Sequence, residues 1–116
     1  MHVELLREYC LSKKEVEETF PFDANTLVFK VAGKMFCLIG LDNPSSCNLK
    51  CIPEKSIELR QEYQAIEPGF HMDKNHWNTV TFNLDVNDKL ILELIDLSYE
   101  LVIKGLTKKI RLEKGL

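Results

Sequence analysis

The stretch TLVFKVAGKMFCLIGL, residues 26–41, constrains the fold more than any other part of the chain. Leu27, Phe29 and Val31 alternate with Val28 and Lys30, the period of two that a half-buried strand requires. Ala32-Gly33-Lys34 supplies a tight turn, after which Met35 to Leu41 is apolar on both faces. Such a strand runs centrally in a sheet, with one side covered by helices. The cluster DNPSS marks the next turn. CNLKC follows as a third strand, with Asn48 and Lys50 facing away from Cys47, Leu49 and Cys51.

Helical signals flank these strands. Val3, Leu5, Leu6, Tyr9 and Cys10 recur at helical spacing up to Leu11. The following SKKE reads as a capping box of Ser12 with Glu15 and predicts a short second helical turn through Glu18, before Pro21 stops any helix. Pro53 suits the first position of a helix that continues through Ile57, Leu59, Arg60 and Tyr63 towards Gln64. Pro68-Gly69 predicts a turn, Phe70-His71-Met72 an extended segment, and the β-rich alternation of WNTVTF a fourth strand. Asn87 or Asp88 caps a long helix to Ile103 or Lys104, with Gly105 as its stop. The basic tail TKKIRLEKGL is expected to fray. Short turns between consecutive strands imply an antiparallel sheet. The expected architecture is α+β, a two-layer sandwich with helices packed on one face. A chain of 116 residues has length for one such domain, 1–116, burying roughly 65% of its unfolded surface.

No apolar run approaches the ~20 residues that span a bilayer, so no membrane partner is expected. Glu4, Arg7 and Glu8 do not fit the apolar core of a signal peptide. The expected location is the cytoplasm, where the four cysteines stay reduced. A net charge of −3 does not suit a surface built throughout to neutralise phosphate, so a nucleic-acid role requires a local basic patch.

Candidate chemistry is sparse. Cys47 and Cys51 share a strand face but stand ~13 Å apart along it, too far for one zinc ion with bonds of ~2.3 Å. There is no CxxC pair, and Cys10 and Cys37 occupy apolar positions as small core residues do. Neither a metal nor a cofactor is expected. The segment PGFHMDKNHWNTV, residues 68–80, holds His71, Lys74, His76 and Trp77, the only tryptophan. Catalysis would need a nucleophile or an oriented carboxylate there, and Asp73 suits an Asx turn instead. With no nucleophile elbow, HExxH or phosphate loop, an enzyme is not the expectation.

If Val80 and Phe82 face the core, Trp77, Thr79 and Thr81 face away from it, and His71 points opposite to Phe70 and Met72. That arrangement makes an aromatic and basic cluster suited to phosphates or an unstacked base. The alternative is Trp77 packed beneath the C-terminal helix, the commoner fate of a large aromatic. Lys30 and Lys50 are expected on the exposed sheet face. Glu4, Glu8, Glu15, Glu17 and Glu18 segregate to the N-terminal region, which leaves the sheet and tail relatively basic.

Taken in order, EETFPFDANTLVFKVAGKMFCL, NLKCIPEKSIELRQEY, PGFHMDKNHWNTV and LIDLSYELVIKGLTKK closely resemble the MmcQ/YjbR family of small bacterial proteins, over roughly Leu5 to Lys109. Positions matching the family pattern include Phe20-Pro21-Phe22, Lys30, Gly33-Lys34, Lys50, Pro68-Gly69, His71-Met72 and Ser98-Tyr99. Lys13-Lys14 departs from it, standing where relatives have a Pro-Gly turn. The resemblance implies a CyaY-like (frataxin-like) α+β fold and DNA binding through a double-wing motif of β elements. The expected function is therefore DNA binding, with phosphates held by Lys30, Lys34, Lys50 and Lys74 and with His71, His76 and Trp77 at the centre. The alternative is a non-catalytic module taking a small anionic ligand or a protein partner at the same cluster. The frataxin-like fold adds metal binding by the acidic N-terminal helix as a further possibility.

Overall fold

The computed structural model describes residues 1–116. Helix α1 (Val3–Leu11) precedes four strands, β1 (Val16–Thr19), β2 (Thr26–Val31), β3 (Lys34–Gly40) and β4 (Ser46–Lys50). Helix α2 (Pro53–Glu62) leads into β5 (Ile66–Pro68) and β6 (Trp77–Thr81), and α3 (Asp88–Lys104) and α4 (Lys108–Lys114) complete the chain. The strands form one antiparallel sheet in the order β1-β2-β3-β4-β6-β5.

The expected central hairpin is present. Ala32 and Gly33 join β2 to β3, both at positive φ (49° and 79°), as a two-residue loop matched to strand twist requires. Pairing shifts after Phe29↔Cys37 to Lys30↔Met35, so Phe36 is an extra residue on β3. This bulge turns both Phe36 and Cys37 into the core. Ser98 of α3 meets the need it creates: its buried hydroxyl donates to the Phe36 carbonyl (2.5 Å) and accepts from the Lys50 N–H (2.8 Å).

One face of the sheet carries the main core. Leu27, Phe29 and Val31, with Ile39, Leu49 and Val80, meet Leu6 and Cys10 of α1, Leu59 of α2, and Ile91, Leu94, Ile95 and Val102 of α3. The α3 residues recur at helical spacing, as a core-facing stripe does, and Asn87 caps the helix by accepting from the Leu90 N–H. All four cysteines are buried as free thiols. Contacts with Cys10, then Cys47, and full burial push the Cys37 thiol pKa upward, which keeps it protonated and unreactive.

Three expectations are corrected. No second helical turn follows Ser12. Ser12 caps the end of α1, its hydroxyl bonding back to the Tyr9 carbonyl, and Val16–Thr19 becomes an edge strand on β2. Sheet pairing and the Arg7–Glu18 ion pair (2.6 Å) override the local capping signal. The tail is also ordered as a helix: Thr107 caps α4, Gly115 ends it in the left-handed region, and Lys14 binds the Gly115 carbonyl. Phe70–Met72, expected to be extended, forms a turn with His71 at φ 58°. No helix is long and apolar enough to cross a membrane.

Candidate functional site

The other face of the sheet lacks a helical layer and carries a small second cluster of Val28, Leu38 and Trp77, flanked by Met35 and Met72. Trp77 thus follows the alternation of β6 onto this face yet is only 9% exposed. It is neither a surface aromatic nor a contact of the C-terminal helix, because the β5–β6 connection folds back over the sheet and lays Met72 beside it.

Arg60 of α2 holds that connection. Its guanidinium donates to Asn78 Oδ1 (2.8 Å), the Lys74 carbonyl (2.5 Å) and the Trp77 carbonyl (3.3 Å). Lys74 turns its ammonium inward to the Gly69 carbonyl (2.8 Å). Asp73 binds the His76 ring (2.6 Å) and the Asn75 N–H (2.9 Å), and these bonds, His76 first, lower its carboxyl pKa. Gly69 is required at its position: a Cβ there would lie 2.9 Å from the Trp77 Cβ.

Between this loop and the β1–β2 connection lies a cleft of about 450 Å³. Phe22 stands on one side and Phe70, His71 and Met72 on the other. Phe22 and Phe70 are 64% and 63% exposed, an unusual cost for two large aromatics unless something covers them. The floor comes from the open-face positions of β2, β3, β4 and β6, with Thr26, Leu38, Gly40, Ser46, Asn48 and Thr79 on its lining. Thr79 ties wall to floor, its hydroxyl accepting from the Phe70 N–H (2.9 Å) and donating to Asn48 Oδ1 (2.5 Å). Gly40 shares the face of Leu38, and no atom lies within 4 Å of where its Cβ would stand. His71 lines the cleft in the left-handed backbone region. Non-glycine residues adopt that region at some cost, and it is concentrated at functional positions. No lysine, arginine or carboxylate lines the cleft.

The residues expected to act together are therefore divided. His71 lines the cleft; Trp77 lies buried in the cluster with Leu38 of the floor and Met72 of the wall. Lys34 and Lys50 share a separate shallow depression closed by Leu101, Val102 and Gly105 at the end of α3. Lys30 sits between Glu17 of β1 and Met35 of β3 in the register. Lys74 and His76 are engaged within their own loop. Phe22, Phe70, Asn48 and Thr79 were not among the expected site residues. The alternation of CNLKC and WNTVTF puts Asn48 and Thr79 on the same face, and that shared polar face was the available signal. Nothing local marks Phe22 and Phe70 as neighbours, because the connections carrying them lie far apart in sequence. No group of three or more histidine, cysteine or carboxylate side chains is arranged to hold a metal ion.

Comparison with known proteins agrees with this architecture. The crystal structure of Deinococcus radiodurans protein DR2400 superposes with a TM-score of 0.93 at 44% identity, covering 99% of this chain and 88% of that one. A crystal structure of a Pseudomonas syringae protein superposes at 0.73 with 28% identity, over 87% of this chain and 98% of the other. Uncharacterized protein YbdF of Escherichia coli O157:H7 is 37% identical over 107 residues, 91% of this chain and 88% of its own length. Uncharacterized protein YjbR of Escherichia coli K12 is 30% identical over 112 residues, 96% of this chain and 95% of its own. The family model described as YjbR matches residues 11–101, and the chain accordingly belongs to the YjbR family.

Proposed function

We propose that this protein is a non-catalytic binding module whose ligand site is the cleft on the open face of the sheet. The observation that carries this reading is the pairing of two exposed phenylalanines across a cleft whose floor is left open at Gly40. The cleft has the size and mixed lining of small-molecule sites. It holds no nucleophile–base pair that would support a reaction. Gly40→Leu tests the reading, because the new side chain enters open space at a position without positive φ. Saturation-transfer NMR of a mixed fragment set should lose its bound signals in the variant while the melting temperature is unchanged. Fragments that bind both proteins equally would refute the assignment.

The DNA-binding reading rests on Lys30, Lys34 and Lys50, since Lys74 and His76 are occupied within their loop. One observation favours it: Lys34 and Lys50 flank a common depression. Against it, the depression is closed by the carbonyl end of α3, which attracts cations rather than phosphates. A labelled duplex titrated at low and moderate salt tests this reading. Phosphate contact requires affinity that falls steeply with salt, and Lys34→Gln with Lys50→Gln should flatten that slope.

A further inference from the structure

The lining of the cleft restricts what can occupy it. Its two exposed phenylalanines, Phe22 and Phe70, can stack on a flat guest, a gain an aliphatic guest lacks because it obtains apolar burial alone. Its floor offers hydrogen-bond donors. The Asn48 carbonyl oxygen is taken by Thr79, but the Asn48 amide N–H groups and the Ser46 hydroxyl have no protein partner. Its charge is minimal, with His71 the one basic side chain and no acidic side chain on the lining. An anion would leave water there for a site without a lysine or arginine, and a cation would find no carboxylate, so each would lose more hydration than it regained.

Taking the cleft as the ligand site, we propose that its occupant is a neutral, planar heteroaromatic molecule stacked against Phe70 and Phe22, with edge acceptors received by the donors of Asn48 and Ser46. Phe70 stacks and Asn48 reads the edge. Gly40 leaves the depth that a ring needs. Thr79 keeps both readers in place, because the same hydroxyl holds the Phe70 N–H and the Asn48 oxygen.

The test compares five probes by NMR of ¹⁵N-labelled protein, following the amides of Gly40, Asn48, Phe70 and His71. Nicotinamide and thymidine are neutral and present a planar ring with edge acceptors; benzoate adds negative charge, benzylammonium adds positive charge and lacks ring acceptors, and cyclohexanone lacks the plane. Nicotinamide or thymidine should bind at least about tenfold tighter than the other three. Phe70→Ala should weaken that binding roughly tenfold or more, as loss of a stacking partner does, and Asn48→Ala should weaken the heteroaromatic probes while sparing benzylammonium. Equal or tighter binding of benzylammonium overturns the need for ring acceptors and for neutrality, and that of benzoate or cyclohexanone overturns the heteroaromatic assignment. If those last two shift the cleft amides and Gly40→Leu abolishes the shifts, the cleft remains the ligand site and only the ring class is wrong. If no probe moves these amides, both readings fall. A single-stranded tetrathymidylate that binds more than about tenfold tighter than thymidine overturns neutrality, because its phosphates would then contribute.

Discussion

Replacing Ser98 by alanine should be among the most damaging single-atom deletions in this protein. The Ser98 side chain is fully buried and serves two backbone groups at once, the Phe36 carbonyl at the β3 bulge and the Lys50 N–H at the end of β4. Alanine leaves both without a partner, in a place the packed α3 helix closes to water. Each stranded backbone group costs about 1–3 kcal/mol, so a total loss of about 2–6 kcal/mol is expected. At about 2.1 cal/mol/K per residue, unfolding a chain of 116 residues carries an entropy near 0.24 kcal/mol/K. The melting temperature should therefore fall by roughly 8–25 °C. Urea denaturation of Ser98→Ala should show a lower midpoint at unchanged slope, while Ser45→Ala, at an exposed turn, should stay within about 0.5 kcal/mol of the parent. A Ser98→Ala loss no larger than that of Ser45→Ala would falsify the account of how α3 is fastened to the sheet.

Gly69→Ala places a Cβ 2.9 Å from the Trp77 Cβ and 3.1 Å from the Trp77 carbonyl oxygen. A loss of about 1–3 kcal/mol and a red shift of the single tryptophan's emission are expected. Arg60→Lys keeps the charge but cannot span Asn78, Lys74 and Trp77 together; it should cost about 1–2 kcal/mol and speed proteolytic nicking within residues 69–76. Asp85 gives a pH dependence. Burial pushes its pKa up, but the Ala65 and Gln64 N–H groups prevail and hold it below the ordinary value. A depressed folded pKa stabilises above the unfolded value, about 3.9, and that contribution is lost as pH falls through the folded one. Asp85→Asn should therefore be less stable than the parent at neutral pH, and urea midpoints of the two should converge below about pH 4.

Much of the fold was legible because period-two and period-3.6 patterns act locally. The β2–β3 hairpin, β4, β6 and α3 all follow from residues within a few positions of one another. The failures share a cause. SKKE carries a valid capping signal, yet Val16 gains more by pairing with Val31 in the sheet than by one further helical turn. The sign-segregated tail reads as solvated until Lys14, far away in sequence, meets the end of α4. The site was legible as a segment rather than as a surface. Residues 68–80 do supply one wall of the cleft, but alternation past Pro68-Gly69 misassigned Phe70 and Met72, since a left-handed His71 breaks the alternation. Lysines chosen for sheet position alone do not line the cleft, and Lys50 stands opposite Trp77 in the register.

The four sealed thiols give the molecule a built-in clock. Cys10 and Cys37 belong to α1 and β3 and are fully buried between the layers, so an alkylating reagent can reach them only when the helix layer lifts from the sheet. Under native conditions their modification rate then reads the frequency of that opening directly, with no fluorophore or isotope introduced. The same seal leaves the exterior free of competing thiols. One cysteine engineered at the cleft rim could carry a spin label or dye in an otherwise unaltered chain.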